Sequence, residues 1–248
     1  DADHGILQAV RSLYLTIHAK ASEAAWRLGG DPDWAGEPGW SGWLFQRDDA
    51  TCEFNGALGQ TAKAPGWVEL QAGDVHYAAA VRDFWQQWPK SIEVAAGSLA
   101  VGLLPSFKEG AFDHMEPWYK HRYLFSGNCY QLRTGQARRW DVWVDMAGGG
   151  AGLSALANAP SVPAADPARA IATGVWDAIV PAGDPAMVAY DPWVENLYEA
   201  YVASIRHERE YGAMKWRDWF GARKVNWGTH QYDTGKPRAN KDSRNGDP

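Results

Sequence analysis

Between residues 13 and 145 the apolar positions fall in short runs, many alternating with polar ones, and glycine-bearing breaks separate the runs. Leu13, Leu15 and Ile17 alternate with Tyr14 and Thr16, the period of a strand with one face towards a core. Gly29-Gly30-Asp31-Pro32 interrupts the pattern, and the Gly/Trp/Pro-rich segment from Asp33 to Gly42 reads as a surface loop. Trp43–Gln46 and Thr51–Phe54 read as short strands, the second ending at the turn dipeptide Asn55-Gly56. Three hairpins are predicted: Trp67–Leu70 with Val75–Val81, Ser91–Val94 with Leu99–Leu104, and Tyr130–Leu132 with Arg139–Asp145. Short strands with turns at such intervals predict a mainly β protein, with an antiparallel sandwich or barrel-like domain over residues 1–147.

The character changes at Gly148-Gly149-Gly150. Residues 148–185 are rich in Ala, Gly and Pro and read as a connector of short helices or wrapping chain. In the third segment, 186–248, Trp193, Leu197, Tyr198, Tyr201, Val202 and Ile205 recur at helical spacing behind Pro192, which suits a first turn. They predict one long amphipathic helix, stopping near Tyr211-Gly212. The 37 residues from Gly212 contain no convincing strand or helix and read as an irregular aromatic-rich tail. No repeat of 20–50 residues is present.

A formal net charge of -6 argues against a nucleic-acid partner, which would call for a basic stripe. The absence of an apolar run of 18 residues argues against a membrane-spanning helix. Cys52 and Cys129 lack the CxxC or Cys/His spacing of a zinc site; a disulfide is open to them in an exported protein, and two buried or free thiols are the expected state. The first residue is Asp1 and no leader precedes it, so a targeting segment is expected to have been removed or left out, with a secreted or periplasmic location. The 15 tryptophans change the picture most. An indole N–H needs a partner when buried, so a Trp-rich chain tends to expose some rings, and exposed rings suit the C–H faces of sugars.

The densest chemical cluster runs from Lys215 to Asp233. It supplies what a glycan-cleaving site needs: a proton acceptor, a proton donor, a cation to neutralise a carboxylate, and rings to hold sugars. His230 exchanges protons near neutral pH, and Tyr232 does so if Arg223 or Lys224 lowers its pKa. Trp216, Trp219 and Trp227 are the candidate sugar-holding rings, and the plainer alternative is an aromatic loop packed on the preceding helix. A second cluster, Arg82 to Lys90, places Trp85 and Trp88 beside Pro89, either as a ligand platform or as an aromatic plug at a strand end. Asp113, His114, Glu116 and His121 match no zinc pattern, and Asn240–Asp247 fails the register of a calcium loop. No metal site and no cofactor are predicted, a divalent cation being left open. Neither GxGxxG, a P-loop nor GxSxG occurs.

Arg82–Lys90, the following Gly102-Leu103-Leu104-Pro105, the Tyr130–Asp145 region and above all Asn226-Trp227-Gly228-Thr229-His230-Gln231-Tyr232-Asp233 resemble the exo-rhamnogalacturonan-lyase-like proteins, also labelled RIFT-barrel-containing proteins. The similarity runs from about Trp43 to Asp233. It implies β-rich N-terminal domains leading into an (α/α)6 toroid, of which the long helix and Trp-rich loop would be the opening. The chain would then be part of a larger enzyme whose downstream helices are its partner. The implied activity is that of a polysaccharide lyase acting by β-elimination on acidic, uronic-acid-containing glycans. Arg217 and Asn226 would neutralise the uronate, and His230 or Tyr232 would remove the C5 proton. The alternative is a non-catalytic carbohydrate-binding or structural β module. A third reading, hydrolysis by Asp218 and Asp233, ranks last.

Overall fold

The apolar runs become antiparallel strands in the computed structural model, which describes residues 6–18, 24–58, 61–95, 97–113, 125–133, 138–175, 180–208, 225–226 and 231–232. The chain divides into two compact units, Asp1–Pro160 and Ser161–Pro248. In chain order the first unit holds β1 (Ile6–Val10), β2 (Leu13–His18), β3 (Ala25–Leu28), β4 (Trp34–Gly36), β5 (Gly42–Asp48), β6 (Thr51–Phe54), β7 (Ala57–Leu58), β8 (Trp67–Ala72), β9 (Val75–Val81), β10 (Lys90–Ala95), β11 (Ser98–Leu104), β12 (Phe125–Ser126), β13 (Cys129–Arg133), β14 (Val142–Asp145) and α1 (Gly150–Asn158). They form a six-stranded sheet in the order β2-β11-β10-β5-β6-β7, a five-stranded sheet in the order β14-β9-β8-β3-β4, and a three-stranded sheet in the order β1-β13-β12.

The two larger sheets make a β-sandwich because each strand turns alternate side chains inward. Trp26, Leu28, Val68, Leu70, Ala79 and Val81 of the five-stranded sheet share one core with Leu44, Ile92, Val94, Leu99 and Val101 of the six-stranded sheet. Glu69 and Gln71 of β8, out of phase with Val68 and Leu70, lie on the opposite face. The alternation in β2 forms a strand as predicted, but Leu13 and Leu15 are 43% and 40% exposed. The reason is position: β2 is the edge of its sheet, and of its three predicted inward residues Ile17 is the one packed against the core.

Two expectations are corrected. The segment from Asp33 to Gly42 is not all loop, since it contains β4, whose three residues pair with β3. Neither strand was foreseen, because runs of three and four residues are too short to show a period. The predicted hairpin of Tyr130–Leu132 with Arg139–Asp145 does not exist: β13 pairs with β1 and β12, whereas β14 pairs with β9 on the five-stranded sheet. Adjacency in sequence suggested a partner that long-range pairing overrode. The first two predicted hairpins form, as β8–β9 and β10–β11.

Polar groups inside the sandwich are held by backbone. The buried Gln46 amide donates to the carbonyls of Asp48 (2.6 Å), Ala62 (2.8 Å) and Thr51 (3.3 Å), and its oxygen accepts from the Ala64 N–H at 2.8 Å. A fully partnered amide costs little to bury and pins the 61–64 loop to β5. Cys52 is buried and Cys129 half-buried, both as free thiols, and burial followed by the Glu53 charge pushes the Cys52 thiol up to about 12.

The second unit contains α2 (Pro167–Ala172), α3 (Asp191–Glu208), β15 (Val225–Asn226) and β16 (Gln231–Tyr232). The Asp166 side chain caps α2 by accepting from the Ala168 N–H at 3.0 Å. The predicted long helix is α3, with Pro192 as its second residue. Trp193, Leu197, Ala200 and Tyr201 form its less accessible side, while Tyr198 is exposed. The tail is not wholly irregular, because β15 and β16 pair antiparallel with Asn226 opposite Gln231 and Val225 opposite Tyr232. Among the described residues no helix is long and apolar enough to cross a membrane.

Candidate functional site

The outer face of the five-stranded sheet carries an open groove of about 350 Å³. Its origin is a tryptophan that points the other way. Trp26 on β3 faces the core, 3% exposed, and its ring lies against the backbone of Gly36 and Gly42, where a β-carbon would collide with it. Glycine at both positions is therefore a packing requirement. The Trp26 indole N–H donates to the Trp40 carbonyl at 3.0 Å, and the Trp40 N–H closes a turn onto the Glu37 carbonyl, also at 3.0 Å. These bonds fix the segment between β4 and β5, where the Trp40 side chain is 64% exposed at the edge of the groove.

The floor follows from strand register. Arg27 lies opposite both Ala35 on β4 and Glu69 on β8, Ala25 lies opposite Gln71, and Gln71 lies opposite His76 on β9. Small Ala25, Ala35 and Gly36 beside long Arg27, Glu69 and Gln71 leave the depression between them. The Arg27 guanidinium donates to Asp33 at 2.8 Å and to Glu69 at 3.2 Å. The other Glu69 oxygen accepts from the Gly150 N–H at 2.6 Å. Glu69 thereby caps α1, whose own N-cap residue Gly149 has no side chain to do so, and the carboxylate sits favourably at the positive end of the helix. The groove thus combines an accessible indole ring with a carboxylate at Glu37, a paired guanidinium, an amide at Gln71 and an imidazole at His76. It can stack a flat apolar face and exchange hydrogen bonds with hydroxyl groups around it.

Trp85 and Trp88, three residues apart, do not share a platform. The Lys63 ammonium lies 4.2 Å from the Trp85 ring centre, and Trp85 lines a separate cavity of about 400 Å³ beside α1. Trp88 packs against Phe112 (6.2 Å) and Phe125 (6.4 Å), joining the ring cluster of Phe107 and Tyr130. That cluster is anchored by the Tyr130 hydroxyl, which donates to the Pro105 carbonyl at 2.6 Å, and burial raises the Tyr130 pKa. Asn226 and Tyr232 lie on the β15–β16 hairpin at adjacent register positions. Arg217, His230, Trp216, Trp219 and Trp227, with Asp218 and Asp233, lie outside the described residues. Among the described residues no group of three or more His, Cys, Asp or Glu side chains is placed to hold a metal ion.

Sequence reasoning missed the groove because Trp40 fell in a segment read as loop and Arg27 in a strand too short to recognise. The available signal was the pair Glu69 and Gln71, polar at alternate positions of a strand whose other residues are apolar. Fold and groove together define an antiparallel β-sandwich with an open polar–aromatic groove on the outer face of one sheet. No protein-family model matches the chain, and no curated protein matches it.

Proposed function

We propose that the sandwich is a carbohydrate-recognising module and that the groove beside Trp40 is its sugar site. The exposed Trp40 ring carries this reading. Leaving an indole in water forgoes the free energy of its burial, which a stacked sugar face would recover, and Glu37, Gln71 and His76 lie within the same groove to meet hydroxyl groups. Titration with plant oligosaccharides, followed by intrinsic tryptophan fluorescence, tests it. Trp40→Ala is expected to weaken binding about 10- to 30-fold, roughly 1.4–2 kcal/mol, with the far-ultraviolet circular dichroism unchanged. Affinity equal to wild type in this variant would sink the groove reading.

A second reading is polysaccharide lyase action on uronic glycans, with α3 and the β15–β16 hairpin as the opening of a helical toroid and export from the cytoplasm. The pairing of Asn226 with Gln231 and Val225 with Tyr232 favours it, since two of the residues assigned to uronate neutralisation and proton transfer fall on one hairpin. Elimination leaves an unsaturated uronate that absorbs in the ultraviolet. Incubation of rhamnogalacturonan with the full-length enzyme that this reading requires is expected to raise that absorbance, and His230→Ala in it is expected to lower the rate at least 100-fold. No absorbance change across a panel of uronic glycans would remove the lyase reading and leave the module.

A further inference from the structure

The groove beside Trp40 holds groups of both signs, and their partners decide which charge is left over for a ligand. Two of its features attract anions. One is the Arg27 guanidinium, and the other is the amino end of α1, where unpaired N–H groups concentrate partial positive charge. Protein carboxylates already meet both. Arg27 donates to Asp33 at 2.8 Å and to Glu69 at 3.2 Å, and its guanidinium carbon lies 5.6 Å from the Trp67 ring centre. The second Glu69 oxygen accepts the Gly150 N–H at 2.6 Å.

Negative charge in the groove is not balanced in this way. Glu37 lines it, is exposed, and has no ion-pair or side-chain hydrogen-bond partner among the described residues. Arg27 is the one Lys or Arg among the lining residues. A single guanidinium thus stands against the carboxylates of Asp33, Glu37 and Glu69, and with His76 neutral the surplus is negative. Trp40, whose N–H bonds the Glu37 carbonyl, presents its exposed ring at the same edge. The face of an indole attracts cations as well as sugar C–H groups. A free carboxylate and an indole face bordering one groove are the two groups that hold an ammonium ion, whereas a uronate there meets Glu37 as a like charge.

We infer that the groove takes an amino sugar, a glycan whose ring stacks on Trp40 and whose protonated amine is held by the Glu37 carboxylate. This rests on the sugar-site reading of the groove and adds the charge of the ligand. Both groups are exposed, so the preference is modest and weakens as salt is added.

Titrations followed by tryptophan fluorescence test it with three ligand sets. Glucosamine oligomers are used at a pH that keeps their amines protonated, beside cello-oligosaccharides, which carry a hydroxyl in place of each amine, and oligogalacturonates. Each titration is run on the full chain and on His76→Gln, which takes protonation of that imidazole out of the comparison. At low salt, glucosamine oligomers are expected to bind about three- to tenfold tighter than cello-oligosaccharides, with oligogalacturonates weaker than either. Glu37→Gln is expected to cut the amine preference about threefold while leaving cello-oligosaccharide affinity and the melting temperature unchanged. Cello-oligosaccharides that bind as tightly as the amino oligomers, oligogalacturonates that bind most tightly, or a preference that survives Glu37→Gln overturns the inference, and the sugar site then stands on its Trp40-dependent binding. No binding from any of the three sets, or binding that Trp40→Ala leaves unchanged, overturns the sugar site and the inference with it.

Discussion

Trp26→Ala is expected to destabilise the sandwich by roughly 3–5 kcal/mol and to remove the proposed sugar binding at the groove under conditions where the chain is still folded. The stability loss follows from deleting an almost fully buried indole in contact with Phe54 (ring centres 6.0 Å apart) and packed on two glycines that leave nothing to fill the void. The binding loss has a separate cause, since the substitution removes the N–H that holds the Trp40 carbonyl. Trp26→Phe separates the two effects. It keeps most of the apolar volume and loses the donor, so it is expected to cost about 1–2 kcal/mol while still weakening binding several-fold. Urea unfolding and oligosaccharide titration on both variants check this. Full affinity in Trp26→Phe would show that the turn carrying Trp40 holds its place without the indole bond.

Stability is expected to rise as pH is raised from 7 to about 9, by on the order of 2 kcal/mol from one residue. The Lys90 ammonium is wholly buried and donates to the carbonyls of Gln87 (2.7 Å), Leu103 (2.9 Å) and Pro89 (3.3 Å), with the Trp140 ring centre 5.5 Å away. Those carbonyls favour the charged form, but burial outweighs them and, with the nearby charge of Arg138, lowers the pKa from 10.5 to about 7. Between about 7 and 10.5 the unfolded chain therefore holds a proton that the folded chain releases, and stability climbs with pH across that window. Below about 7 the lysine is charged in both states and its contribution is flat. Cys52 opposes the trend above about 9, where its thiol ionises in the unfolded chain but stays protonated in the fold, and Tyr130 acts in the same direction at higher pH. The melting temperature is thus expected to peak near pH 9, about 4–8 °C above its value at pH 7. Lys90→Met is expected to flatten the rising limb and Cys52→Ala to soften the fall. A rising limb of equal slope in Lys90→Met would assign the effect to another group.

The β-rich fold was legible where strands are long enough to alternate and a turn residue sits between two of them. The β8–β9 and β10–β11 hairpins are of that kind, with Gly73-Asp74 and Gly97 at their turns. The long helix was legible because six apolar residues from Trp193 to Ile205 keep one period. β3 and β4 were not legible, since their seven residues are too few to carry a period and are stabilised as strands by pairing with each other and with β8. The β13–β14 relation misled because spacing along the chain suggested that these two strands pair, whereas β13 pairs with the preceding β12 and with distant β1, and β14 pairs with β9.

Local pattern alone determined that this chain is mainly β, that its first strands are short and turn-linked, and that one amphipathic helix follows late in the chain. Those properties depend on the period of side chains along a few residues, which the order of residues displays directly. The location of the groove, the burial of Lys90 among carbonyls and the pairing of Arg27 with Glu69 were decided only by tertiary structure. Each brings together groups whose separation in sequence bears no relation to their distance in space: Arg27 meets Glu69, Trp26 meets Trp40, and Lys90 meets Leu103. Contacts of that kind arise from which strand lies beside which, and strand order is a property of the packed chain.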